Sequence, residues 1–277
     1  MSVIAFASFA GSPGVSTAVL AAAVHWPRPV LVLEADIANV SSAMPGFFRA
    51  NLTSDAGMHK LAYAQTRGLL NATNLIDPEF KLAIAVHELP TVTDVPIPAL
   101  PDGHRMWVVP GFLGLQSVDG TQALWRRLPG LLSTLSESGI DVLVDLGRVG
   151  RDDVRSAIID AADQLVVMAN STMVDLNRLH KRFQLPDMSV RTEGVGRAER
   201  MSLILVKSRH EPLAKRDFDK HILPVLAELP FDPDGAAVFS LGRQDPKPER
   251  NEYRQAIRRS LPALVNRSAQ SAERMVG

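Results

Sequence analysis

The chain contains no cysteine. That excludes disulfides, thiolate metal sites and a cysteine nucleophile, and it fits a reducing, cytoplasmic setting. An excess of either charge is also missing: 30 Lys+Arg balance 30 Asp+Glu. The neutral total gives no global attraction to nucleic acid or to an anionic membrane. No apolar run approaches the ~20 residues of a membrane-spanning helix. Residues 1–14 are apolar but lack a basic segment and run into a glycine turn. They are expected to form a buried strand and not a signal peptide. The seven histidines show no i, i+4 or H-x-H spacing, so no histidine metal site is expected. No G-x-S-x-G elbow surrounds Ser8, Ser12 or Ser16, and Ser12 reads as turn chemistry. No internal repeat or low-complexity tract is present.

What is present is a globular composition, 46% apolar and 22% charged over 277 residues. Strand-length apolar runs occur at Val3–Phe9, Val30–Glu34, His104–Val109, Val142–Asp145, Leu165–Ala169 and Leu203–Val206. Their near-continuous Val, Ile and Leu content suits strands covered on both faces. Helical patterns lie between them at Ser16–His25, Ala56–Leu70, Gly120–Ser138, Val154–Ala162 and Thr172–Phe183. Pro90–Pro101 and Asp187–Arg200 read as loops. The alternation predicts an α/β fold, a doubly wound and mostly parallel sheet flanked by helices. One domain is expected over residues 1–245, followed by a C-terminal helix and tail over 246–277.

The turn after the first strand reads Ala10-Gly11-Ser12-Pro13-Gly14-Val15-Ser16-Thr17. A glycine-rich strand-to-helix turn aims backbone N–H groups and a helix N-terminus at one spot, which suits a phosphate. The usual phosphate loop is G-x-x-x-x-G-K-S/T. Gly14, Ser16 and Thr17 match it, but Val15 stands where the lysine belongs. By itself the octapeptide is equally a tight turn with Ser16 or Thr17 capping the helix.

Ala10–Thr17 resembles, without gaps, the K-G-G-x-G-K-S/T-T loop of the ParA/MinD branch of P-loop ATPases. Val30-Leu31-Val32-Leu33-Glu34-Ala35-Asp36 resembles that family's second strand with its D-x-D pair. Val142-Leu143-Val144-Asp145 resembles the Walker B strand, and Val108-Val109-Pro110-Gly111 the strand before it. Leu165–Ala169 with Ser171–Leu179 resembles the following strand and helix, and Leu229-Pro230-Phe231-Asp232-Pro233 the late segment near the base. The resemblance covers roughly residues 1–245 in consistent order.

The resemblance implies a P-loop fold and a site for ATP or ADP with Mg²⁺. Gly11, Ser12, Gly14, Val15, Ser16 and Thr17 would hold phosphates, with Pro230 and Asp232 near the base. Ser16, Asp36 and Asp145 would serve Mg²⁺, and Asp36 would position the attacking water. It also implies a homodimer and a protein partner from a partitioning, division or secretion/pilus system. The departures are Ala10 for the lysine that crosses the dimer, Val15 for the P-loop lysine, and Lys207 or Ser208 for the asparagine that touches adenine. Loss of those cations predicts weak or absent hydrolysis. Dimerisation without nucleotide is then expected. Two alternatives remain at this point: an active Mg-ATPase using Arg148 or Arg151 as substitute cation, or a nucleotide-independent DNA-binding or scaffolding module. Lys207, Arg209, Lys215, Arg216 and Lys220 are the candidate non-specific DNA face, with Glu211, Asp217 and Asp219 interspersed. Residues 251–265 have one apolar face, suited to docking on the domain or to peripheral membrane contact; Pro262 and the modest face favour docking.

Overall fold

Val3, Ala5 and Ala7 of β1 (Val3–Ser8) point to one apolar cluster, while Ile4 and Phe6 point to another. Leu31 and Leu33 of β2 (Val30–Glu34) divide from Val30 and Val32 in the same way. Every residue of both strands is buried. This two-residue period, with both faces apolar, requires a helical layer on each side of the sheet. The computed structural model describes residues 1–52, 54–89, 99–114, 118, 121–193 and 198–276.

The remaining strands are β3 (Ile84–Ala85), β4 (Met106–Val109), β5 (Asp141–Arg148), β6 (Gln164–Asn170), β7 (Met201–Val206) and β8 (Val225–Leu229). They form one sheet in the order β3-β4-β2-β5-β1-β6-β7-β8. All pairings are parallel except β3 with β4. One face is covered by α1 (Val15–Val24), α9 (Pro233–Ser240) and α10 (Glu252–Val276). The other is covered by α2 (Met58–Thr66), α3 (Ala72–Ile76), α4 (Gln122–Glu137), α5 (Ser156–Ala161), α6 (Met173–Phe183), α7 (Pro186–Glu193) and α8 (Lys215–His221). The doubly wound, mostly parallel architecture expected from the sequence is the observed one.

The leucine stripe of α4 is buried at Leu124, Leu128, Leu131, Leu132 and Leu135. The apolar face of α10 is buried at Tyr253, Ala256, Ile257, Leu261 and Leu264, against α1, α9 and β8. No helix among the described residues is long and apolar enough to cross a membrane. Two expectations need correction. Residues 187–193, read as the start of a polar loop, belong to α7. Proline can occupy the first turn of a helix because its missing N–H is not needed there, and Met188 plugs α7 into the core at 0% exposure. Strand β8 was not anticipated. It is an edge strand with Glu228 exposed, so its apolar run is broken. Residues 90–98 of the expected Pro90–Pro101 loop and 194–197 of Asp187–Arg200 lie outside the described residues.

In this topology β1 sits centrally, with neighbours β5 and β6 reached by separate crossovers. The C-terminal ends of such strands, where the chain changes direction, are where open α/β sheets bind ligands.

Candidate functional site

The turn after β1 adopts left-handed backbone at Gly11 (φ 71°) and Gly14 (φ 84°), a conformation that glycine enters without a Cβ penalty. Gly14 is the N-cap of α1 and brings no side-chain cap. The first helical bond runs from Ala18 N to Gly14 O at 3.0 Å. The N–H groups of Val15, Ser16 and Thr17 precede it, so they have no helical acceptor of their own. Ser16 and Thr17 thus lie inside the first turn, which corrects their reading as N-caps. The result is a cradle of backbone donors at the positive end of a helix.

Gly11, Ser12, Gly14, Val15, Ser16 and Thr17 line one cavity of about 220 Å³, together with Asp36 and Arg148. This is smaller than the ~300–1,000 Å³ of typical small-molecule pockets. The two positions that carry lysine in the resembled loop are buried and apolar. Val15 is 6% exposed and Ala10 is 1% exposed, and they join the clusters on opposite faces of the sheet.

Three acids approach the cavity from β2 and β5, and each has a different task. Glu34 is consumed by the fold. Its Oε1 accepts from Ser42 N at 2.5 Å, Ser42 Oγ at 2.7 Å and Ala43 N at 3.2 Å. Its Oε2 accepts from Ser41 Oγ at 2.5 Å and Gly111 N at 2.7 Å. These bonds tie the chain after β2, including a π-helical turn at Ala43–Phe47, to the end of β4. Asp36 is partly exposed and lines the cavity. It accepts from Ala38 N at 2.9 Å and Asn39 Nδ2 at 3.0 Å. Gly147 packs so closely that a Cβ there would lie 2.4 Å from Asp36 Cγ, and its φ is +55°. Only glycine meets both conditions.

Asp145 is buried beneath the loop, bonded to the Ser16 hydroxyl and to Gly147 N at 2.8 Å. Burial pushes its carboxyl up to about 7, opposed by the Ser16 bond and reinforced by the charges of Glu34 and Asp36. Between the unfolded value of 3.8 and about 7, the folded chain keeps a proton that the unfolded chain has released. The cost of deprotonating Asp145 in the fold therefore grows as pH rises through that window. Asp145→Asn stays neutral, so its thermal midpoint relative to the unmodified protein is expected to be higher at pH 8 than at pH 5. A difference that is the same at both pH values would contradict this.

Pro230 and Asp232 are not among the residues lining the cavity. Asp232 caps α9 through Gly235 N at 2.9 Å and accepts from Tyr253 N at 3.3 Å, joining α9 to α10. At the end of β7, Ser208 N donates to Ser171 Oγ at 2.9 Å and Ser208 Oγ to His210 O at 2.8 Å. Arg148 is exposed and lines the cavity, whereas Arg151 is exposed away from it. Arg155 was not anticipated. Its side chain is 1% exposed and bonds Ala35 O at 2.8 Å, Arg148 O at 3.0 Å and Leu146 O. It therefore clamps the ends of β2 and β5, from which Asp36 and Asp145 project. It also pairs with Asp153 at 2.7 Å, and this contact two residues away is the one part of the clamp that is local in sequence.

The cavity wall carries the Ser16 hydroxyl and the Asp36 carboxylate, oxygen donors of the kind that suits a hard divalent cation, while Asp145 does not line it and reaches it through its bond to the Ser16 hydroxyl. Among the described residues no group of three or more His, Asp or Glu is arranged to hold a metal by itself. The donor set fits a cation completed by water or phosphate oxygens.

The sequence matches no family model and no curated protein. Solved structures do match over nearly the whole chain. The septum site-determining protein MinD complexed with Mg-ADP from Pyrococcus horikoshii OT3 is similar at TM-score 0.65 and 16% identity, covering 98% of both chains. A ParA family ATPase from Chlorobium tepidum TLS is similar at TM-score 0.62 and 15% identity, covering 94% of this chain and 97% of that one. An ATP complex of McdA from Cyanothece is similar at TM-score 0.58 and 15% identity, covering 95% and 96%. The chain has the fold of the MinD and ParA P-loop proteins.

Proposed function

We propose that the chain is a ParA/MinD-like positioning or partitioning factor that works through dimerisation and partner binding, with weak or lost ATP hydrolysis. The observation that carries this reading is the burial of Val15 and Ala10 where the resembled loop has lysines, in an amide cradle that is otherwise intact. Such a cradle supports phosphate binding without supporting transfer. A P-loop lysine neutralises charge that develops on the moving phosphoryl group. Its loss removes about 3–4 kcal/mol of transition-state stabilisation, if it acts like other preorganised donors.

In this reading the N–H groups around Gly11, Ser12, Gly14, Val15, Ser16 and Thr17 hold the phosphates of ATP or ADP. Ser16, Asp36 and Asp145 hold Mg²⁺, which when bound offsets the repulsion between carboxylates and phosphates. Asp36 orients water, its own position fixed by Ala38 and Asn39. Pro230 and Asp232 lie at the base end. The nucleotides seen with the MinD and McdA neighbours make nucleotide the first ligand to test.

Dimerisation is supported by the surface around the cavity. Val40, Leu113, Val154, Met173 and Val174 are exposed in the segments that follow β2, β4, β5 and β6. Large apolar residues exposed beyond the C-terminal ends of parallel strands suit an interface. With no lysine to sense nucleotide across that interface, the dimer forms with or without ATP. The partner belongs to a partitioning, division or secretion/pilus machine in the cytoplasm. Arg148 favours one second reading, an active Mg-ATPase with a substitute cation, because it places an exposed guanidinium on the cavity wall without an ion pair among the described residues. Phosphate release and sedimentation, measured on one sample with and without Mg-ATP, separate the two.

A further inference from the structure

The wall of the phosphate cavity offers much to a phosphate chain and little to a base. Among the described residues it carries no aromatic ring and one amide side chain, Asn39. That amide spends its Nδ2 on Asp36 Oδ2 at 3.0 Å. The side toward α9 is sealed. Gly46, in the π-helical turn after β2, packs so tightly on α9 that a Cβ there would lie 2.2 Å from Ser240 O. Ser42 and Ser240, from these two packed segments, both line the cavity. Its volume of about 220 Å³ is therefore bounded on the side where it could widen toward α9.

Beyond the loop, the ends of β6, β7 and β8 have spent their polar groups within the chain. Asn170 Nδ2 donates to Asp175 Oδ2 at 3.0 Å, and Asp175 is 3% exposed. A Cβ at Gly11 would lie 3.6 Å from that carboxylate, so the pair stands against the phosphate loop. Ser208 Oγ donates to His210 O at 2.8 Å and accepts from His210 N at 3.2 Å. Asp232 uses one oxygen on Gly235 N and the other on Tyr253 N. Exchanging such a bond for one to a base edge gains little net free energy. The N–H groups of Val15, Ser16 and Thr17 give up no helical acceptor when they meet a phosphate. Sites that select a ligand by hydrogen bonding do so because the wrong ligand leaves their buried polar groups unpaired. Among the described residues, no unpaired buried side-chain atom lies on β7, β8 or the turns that follow them.

We propose that the cavity binds a Mg²⁺-bound di- or triphosphate chain without reading the base attached to it, an inference that rests on the phosphate-binding reading given above. The ligand class is then any nucleoside di- or triphosphate, and inorganic pyrophosphate as well. Phe231, 52% exposed after β8, does not restore selectivity, because stacking on an aromatic ring accepts every base. Selectivity for the chain comes from the amide cradle and from Arg148, whose guanidinium is on the cavity wall.

The test is calorimetric titration of the full chain, in Mg²⁺, with ADP, GDP, CDP, pyrophosphate and adenosine. The three nucleotides are expected to bind within about fivefold of one another, and pyrophosphate within about tenfold of them. Adenosine is expected not to saturate at millimolar concentration. Arg148→Ala is expected to weaken ADP and pyrophosphate by the same factor, about fivefold, because it acts on the chain they share. A base preference or a pyrophosphate deficit beyond these margins overturns the proposal while leaving the phosphate cavity in place. Saturable binding of adenosine, or an Arg148→Ala loss confined to one of the two ligands, does the same. Failure of every phosphate ligand to bind overturns both the proposal and the phosphate-binding reading beneath it.

Discussion

Replacing Val15 by lysine is expected to tighten Mg-nucleotide binding about ten- to a hundredfold. The backbone already provides the helix N-terminus, the left-handed Gly14 and the unbonded N–H groups. The missing element is one charged donor. A hydrogen bond to a charged group contributes about 1.5–3 kcal/mol, and ~1.4 kcal/mol is a factor of ten. Val15 is the first residue of α1 and lines the cavity, so a lysine there reaches the phosphates by turning away from the apolar cluster that Val15 joins. Calorimetric titration of Mg-ATP into Val15→Lys and into the unmodified protein reads the difference. Equal affinities would mean that Val15 does not occupy the lysine position in space. Ala10 offers no such restoration, because at 1% exposure a lysine there would have to displace the apolar cluster that Ala10 belongs to.

Glu34→Ala is expected to destabilise the protein by about 4 kcal/mol, lowering the thermal midpoint by about 8–16 °C. Glu34 is 4% exposed and accepts five hydrogen bonds. Truncation leaves the N–H groups of Ser42, Ala43 and Gly111 without their acceptor. Each orphaned buried donor costs about 1–3 kcal/mol, less whatever water recovers. Ser42 also lines the phosphate cavity, so nucleotide affinity should fall with stability. A midpoint shift under about 2 °C, followed by circular dichroism, would show that the segment after β2 is held by other contacts.

These two residues mark the limit of what was legible in the sequence. Position 15 is readable because the glycine turn fixes the register of the loop, and a missing lysine shows as a missing letter. Glu34 was read as the first acid of the resembled D-x-D pair, since its type and spacing are all that a sequence displays. Its five donors come from positions 41–43 and 111, and a contact at sequence distance 77 leaves no local pattern. The same holds for Arg155, whose charge is neutralised beside it but whose clamp reaches back to Ala35. Strands β1, β2 and β4–β7 were legible because burial on both faces leaves continuous apolar runs. Strand β8 and α7 were not. One keeps an exposed glutamate at the sheet edge, and the other buries Met188 in a mostly polar segment. The base end of the site is the weakest point of the resemblance, because Asp232 spends its carboxylate on two helices.

In the proposed reading the loop keeps its shape but not its chemistry. Phosphate release from Mg-ATP by the unmodified protein, with sedimentation of the same sample, tests it most directly. Release at or only slightly above the buffer control is expected, with the same dimer in the presence and absence of Mg-ATP. Steady release that disappears in Asp36→Ala or Arg148→Ala, or a dimer that forms only with Mg-ATP, would contradict it.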